Sequence, residues 1–131
     1  MTVPELLHDI ATTRIGLAPS PIHGIGVFAL VDLPEGTRGL FSPPQPWVPV
    51  PEAEIDALPS HAQRLVRTYC LWDNNTYFLP PNGFRILDMV MYLNHAETPN
   101  LRVVNGGDDF ITTRRVQAGE ELTVDYRTLE T

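Results

Sequence analysis

A chain of 131 residues with nine basic and sixteen acidic side chains, net charge −7, is the size of one domain and buries roughly two thirds of its unfolded surface, enough to fold without staples. The single cysteine, Cys70, excludes an intrachain disulfide and a cysteine-based zinc site within one chain. The acidic balance argues against a general nucleic-acid binder, whose footprint is basic.

Prolines and charges interrupt every apolar run, so none approaches the ~18 to 20 residues of a membrane span. Met1 to Ile10 carries Glu5 and Asp9 where a secretion signal has a basic start and an apolar core. A soluble, cytoplasmic protein is expected. Its acidic surface would attract basic peptides and a cationic cofactor, or serve solubility alone.

Thirteen prolines and nine glycines cut the chain into short pieces, which suits several small strands better than a helix bundle. Arg14 to Ala18 and Gly26 to Val31 read as strands joined by a turn at Pro19, Ser20 and Pro21. Leu33 to Gly36 is a second turn, and Thr37 to Phe41 a third short strand. Pro43, Pro44, Pro46, Pro49 and Pro51 then make a stiff, extended connection. Residues 52 to 71 are the one helical region, divided by Pro59. Ser60 with Gln63 fits a capping box, and Ala62, Leu65, Val66 and Tyr69 build one apolar face. Thr76 to Leu79 and Phe84 to Leu87 are strands about the turn Pro80 to Gly83. Leu101 to Val104 and Phe110 to Val116 pair across Asn105 to Asp108. Gln117 to Gly119 turns into the last strand, Glu121 to Tyr126.

Three segments carry the chemistry. His23 to Ala29 reads His-Gly-Ile-Gly-Val-Phe-Ala, Asn94 to Asn100 reads Asn-His-Ala-Glu-Thr-Pro-Asn, and Ala118 to Tyr126 reads Ala-Gly-Glu-Glu-Leu-Thr-Val-Asp-Tyr. Glycines before a strand let the backbone approach a ligand closely, or simply turn the chain. Asn94 offers an acceptor and a donor, which suits a terminus bearing both carboxylate and ammonium. His95 has the chemistry of a metal ligand, but His8, His23 and His61 supply no ligand spacing, so no metal site is expected. Tyr126, on its own, would pack its ring and bond its hydroxyl.

In this order, spanning residues 23 to 126, the three blocks resemble the SET domain, the fold of protein-lysine methyltransferases. That signature reads approximately G-x-G-V-F-A, N-H-S-x-x-P-N and G-E-E-L-T-x-D-Y. The resemblance implies one SET domain over residues 1–131, mainly β with a short helical insert at about 52–71. It implies a β-clip-like fold of small curved sheets around a C-terminal pseudoknot, in which the last segment passes beneath the loop carrying Asn94 and His95. It also implies methyl transfer from S-adenosyl-L-methionine to a lysine of a basic protein or peptide. Gly24, Ile25 and Gly26 would offer main-chain groups to the amino-acid end of the cofactor. Asn94 would hold its amino group, the backbone of His95 its adenine, and Tyr126 would bind it and serve as the catalytic residue.

Phe41, Ser42, Tyr92, Leu93 and Val103 are expected along the lysine channel. Ser42 and Val103 stand where members of the family often have tyrosines, Ala96 replaces a serine or cysteine, and Val124 a common tyrosine. Fewer channel hydroxyls hold the amine less firmly and leave room for methylated forms. The alternative is a catalytically degenerate SET fold acting as a protein-binding or assembly module. No cysteine-rich lid follows Tyr126, so closure of the channel by substrate or by a second subunit is expected, with Pro43 to Val50, including Trp47, as the contact of a homodimer.

Overall fold

The computed structural model describes residues 1–42 and 46–129. Among these residues nine short strands form two sheets and a hairpin. The first sheet has the order β1-β2-β9-β6 and contains β1 (Ile15–Pro19), β2 (Ile25–Ala29), β6 (Asn94–His95) and β9 (Glu121–Val124). The second, β3-β5-β4, contains β3 (Val48–Pro51), β4 (Leu71–Asp73) and β5 (Thr76–Leu79). The hairpin pairs β7 (Leu101–Val104) with β8 (Asp109–Thr112).

β1 pairs antiparallel with β2 from Ile15 opposite Ala29 to Pro19 opposite Ile25. The link between them is closed by Ser20 N–H donating to Gly24 O at 2.8 Å, and Gly24 has φ +47°, a conformation that glycine adopts at low cost. Pro19 therefore belongs to the strand and the turn runs from Ser20 to Gly24. β9 lies between β2 on one side, antiparallel, and β6 on the other, parallel. Such a position buries both faces, and Leu122, Thr123 and Val124 are all buried. Around it gather Ile15, Val27, Leu33, Leu101, Phe110 and Val116, the main core.

The helical region is two pieces, α2 (Glu52–Asp56) and α3 (Ser60–Tyr69), divided at Pro59. Ile55 and Val66 pack on Tyr77 of β5 in a second, smaller core. Leu65, expected on the apolar face, is exposed. The expected capping box does not form, because Pro59 takes the cap position and Ser60 is already helical. Gln63 instead donates Nε2 to Asp56 O and Leu58 O at 3.0 and 2.8 Å, which ties the two helices together.

Other boundaries also differ from the sequence reading. Thr37 to Phe41 is not a strand: Gly36 and Gly39 take positive φ, and beside one main-chain bond to β8, from Thr112 N–H to Thr37 O, the segment meets β8 through the Asp109 carboxylate, which accepts Gly39 N–H and pairs with Arg38. The proline-rich connection ends in β3, whose prolines are tolerated because β3 is an edge strand. Pro43 and Pro44 lie outside the described residues. Phe84 to Leu87 forms no strand. β5 instead pairs with β4 across Asn74 and Asn75, both at positive φ, as a type I′ hairpin turn requires. β8 stops at Thr112, after which Val116 makes only an isolated bridge to Leu33. β9 stops at Val124, where the Asp125 side chain accepts Arg127 N–H and starts a 3₁₀ turn, Tyr126–Thr128.

A ten-residue helix that the sequence reading did not include lies at the start. α1 (Val3–Thr12) begins at a complete capping box of Thr2 and Glu5, yet buries no residue. Among the described residues no helix is long and apolar enough to cross a membrane.

Candidate functional site

Parallel pairing of Asn94 with Thr123 and His95 with Val124 brings the second and third motifs side by side. The first motif joins them through Asn94, which is 6% exposed. Its Nδ2 donates to Glu121 Oε2 at 2.8 Å, to His23 O at 3.0 Å and to Ile25 O at 3.5 Å. Three oxygens around one amide atom fix its orientation, since a flip would set oxygen against oxygen. The turn at Gly24 is thus tied to the strand pair, and Asn94 Oδ1 is the acceptor left for an incoming donor.

Glu121 is central to this arrangement. Ser20 Oγ donates to its carboxylate, 2.7 Å from Oε1 and 2.9 Å from Oε2. Ser20 Oγ in turn accepts Ile22 N–H at 3.0 Å. Gly26 makes the room: a Cβ there would lie 2.9 Å from Glu121 Cδ and 3.1 Å from Ser20 Cβ, closer than packed carbons approach.

Tyr126 follows β9 after one residue. Its hydroxyl donates a short hydrogen bond to Leu93 O, and its N–H donates to His95 Nδ1 at 3.0 Å. The His95 and Tyr126 rings lie 5.2 Å apart. Because His95 Nδ1 accepts that N–H it carries no proton, so the approach of Asp125 Oδ1 at 3.7 Å is not an ion pair. Asp125 is engaged elsewhere: its bonds with Arg127 hold its carboxyl down to about 2. Burial, and then the nearby Glu121 charge, raise the Tyr126 phenol above its ordinary value.

Tyr126 and Leu93 line a cavity of about 670 Å³, whose walls include Tyr69, Trp72, Phe78 and Phe110. A second cavity of about 420 Å³ is lined by Phe41, Ser42 and Asp88. Trp47, Val90, Met91 and Phe110 border both.

The SET domain family model matches residues 24–127. The chain belongs to the SET domain family. Among solved structures it is similar to a protein of Plasmodium falciparum assigned provisionally as a histone methyltransferase, with 20% identity, TM-score 0.52, and coverage of 88% of this chain and 94% of that one. It is also similar to a humanized mutant of the Chaetomium thermophilum Polycomb Repressive Complex 2 bound to the inhibitor GSK126, with 19% identity and TM-score 0.55. There the match covers 95% of this chain and 17% of the other. At these identities the likeness is one of fold, small sheets of the SET type with few helices. No curated protein sequence matches the chain.

Within this SET domain the turn Gly24 to Gly26, Asn94, His95 and Tyr126 meet around β6 and β9. The expected channel residues are more scattered. Leu93 adjoins Tyr126, whereas Phe41 and Ser42 line the smaller cavity. Tyr92 and Val103 border neither cavity: Tyr92 stacks edge-on with Tyr69 at 5.7 Å, and Val103 packs against the main core. Val124 is buried in that core. The sequence reading gave no site role to Ser20, Glu121, Asn100 or Trp72, and placed Trp47 at a dimer contact and Tyr69 on a helix face, not on a cavity wall. Glu121 and Asn100 stood inside quoted motifs, and that was their only signal. Among the described residues no three His, Cys, Asp or Glu side chains cluster as a metal site would need.

Proposed function

We propose that this SET domain transfers a methyl group from S-adenosyl-L-methionine to the side-chain amine of a lysine in a basic protein or peptide. The observation that carries this reading is the bonding of Asn94 to both the Gly24 turn and Glu121 while Tyr126, one strand over, bonds the carbonyl of Leu93.

The residues suit that cofactor. Gly24 has nothing within 4 Å of where a Cβ would stand, so its main chain is approachable by the cofactor's amino-acid end, with exposed Ile25 beside it; Gly26, buried against Glu121 and Ser20, would shape the turn. Asn94 Oδ1 would accept its ammonium, and the backbone of His95 would meet its adenine. When bound, the cofactor supplies an electrophilic methyl group on a cationic sulfur.

The chain's own side chains do the rest. An attacking amine must be neutral, and apolar walls from Leu93, Val90, Met91 and Phe110 penalise the ammonium form. The Tyr126 phenol, with its pKa raised, stays neutral through the physiological range. While donating to Leu93 O it keeps lone pairs that accept an amine N–H and turn the nitrogen lone pair toward the methyl. Such alignment can supply roughly 7 to 11 kcal/mol of a barrier. Tyr126 therefore orients; it is not a strong base.

A second copy is the other partner this reading includes, with exposed Trp47 and Val48 as its contact. The functional reading is tested by melting the protein with S-adenosylmethionine or its demethylated product. A native-state ligand at 100 times its Kd adds about 2.7 kcal/mol, so the melting temperature rises, and Asn94→Ala loses most of the shift. A melting curve unmoved at saturating cofactor contradicts the enzyme. A shift without transfer to any lysine leaves the degenerate binding module.

A further inference from the structure

We propose that Glu121 is the positioning residue of the cofactor cradle, and that its charge makes the cradle prefer S-adenosylmethionine, with its cationic sulfur, over the neutral-sulfur product S-adenosylhomocysteine. This rests on the functional reading above.

Through Ser20 and Asn94 the Glu121 carboxylate is linked to both limbs of the Gly24 turn. Through Ser20 it fixes the incoming limb, because Ser20 Oγ accepts the N–H groups of Ile22 and His23 at 3.0 and 3.4 Å. Through Asn94 it fixes the outgoing limb, because the same amide donates to His23 O and Ile25 O. Hydrogen bonds to a charged acceptor are roughly twice as strong as neutral ones. The turn is also closed by the Ser20 N–H bond to Gly24 O at 2.8 Å and flanked by the β1–β2 pairing, and Gly24 at its end adds backbone freedom that the side-chain bonds restrain.

The charge itself is uncompensated. Among the described residues the Glu121 carboxylate accepts only from neutral donors, Ser20 and Asn94, and the ion pairs leave it out. Structural carboxylates on this chain, such as Asp56 and Asp32, face arginines. A half-buried carboxylate with hydrogen bonds but no cation favours a cation arriving beside it. S-adenosylmethionine carries two positive groups, ammonium and sulfonium, and its product carries one.

The test is calorimetric titration of wild type, Glu121→Gln and Ser20→Ala with each of the two compounds, joined to hydrogen exchange of residues 20–26 in the ligand-free proteins. Loss of one charged hydrogen bond is worth about tenfold or more in affinity. For Glu121→Gln the expected result is faster exchange at the turn and a weakening for S-adenosylmethionine of at least that size, clearly larger than for the product. In turnover the loss falls on KM for the cofactor more than on kcat. Ser20→Ala keeps the charge, so it should speed exchange and weaken both compounds in parallel. If Glu121→Gln fails to fold, Gly26→Ala displaces the same carboxylate from its partners and should weaken both. Equal weakening of the two compounds by Glu121→Gln, or none, overturns the proposal. Absence of binding by the wild type overturns it together with the functional reading, whereas tight wild-type binding that ignores Glu121 overturns this inference alone.

Discussion

Asn100 substitutes for a neighbouring strand at the centre of the molecule. Its Nδ2 donates to Glu121 O at 2.8 Å and its Oδ1 accepts Thr123 N–H at 2.9 Å, so one buried side chain satisfies two backbone groups of β9. Each unsatisfied buried group costs about 1 to 3 kcal/mol. Asn100→Ala should therefore lower unfolding free energy by about 2 to 4 kcal/mol in urea titration, and a change under 1 kcal/mol would refute the role. On the proposed mechanism Tyr126→Phe removes the aligning hydroxyl, so turnover should fall tenfold or more with the fold intact. Activity equal to wild type removes Tyr126 from the mechanism. Cys70 provides a pH test. Burial pushes its thiol up to about 11 from 9.0, so the unfolded chain releases this proton first as pH rises. The stabilisation is complete below about pH 9 and lost toward pH 11. Urea midpoints of Cys70→Ala should fall less steeply across that window than those of wild type. An identical slope would contradict the burial. The contribution of Asn94 and Tyr126 could be suspected from motif chemistry. That of Ser20, about a hundred residues from Glu121 in sequence, could not, because periodicity carries no information on such distant partners.

Among the elements, strands flanked by clear turn residues were legible. The β1–β2 pair and the β7–β8 hairpin were read from the turn residues Pro19 to Pro21 and Asn105 to Asp108, although the first turn runs from Ser20 to Gly24. Elements with mixed signals were not. Val48–Pro51 pairs along an edge despite two prolines, since an edge strand needs bonds on one side only. The Asn74–Asn75 turn was overlooked because the neighbouring Pro80 to Gly83 offers a stronger turn composition. α1 is a different matter. Val3, Leu6, Leu7 and Ile10 lie at helical spacing, but all are exposed. A ten-residue helix without tertiary support is marginal in water, so its amides should exchange at rates close to those of an unfolded peptide. Deleting residues 1–12 should leave the melting temperature within about 2 °C of the full chain, since surface changes stay within about 0.5 kcal/mol. A larger drop would show that α1 contributes to stability.

At the scale of the whole molecule, β9 joins segments that are far apart in the chain. It pairs with β2 on one side and β6 on the other, which sets the Gly24 turn, Asn94 and Tyr126 around a single strand. Local pattern carries no information on pairings between segments so distant in the chain, and only the resemblance of three ordered motifs set them beside one another. Self-association through Trp47 and Val48 predicts a mass near twice the monomer in light scattering at micromolar concentration. Monomer alone, with full transfer activity, would leave the substrate to close the channel. The chain contains no lysine, so it cannot accept methyl groups on its own lysine side chains, and any methyl-lysine formed belongs to the substrate. The most direct measurement is therefore mass spectrometry of a lysine- and arginine-rich peptide after incubation with methyl-labelled S-adenosylmethionine. The account predicts labelled methyl groups on a lysine side chain, reduced at least tenfold by Tyr126→Phe. An unmodified peptide pool from protein that binds the cofactor would contradict it.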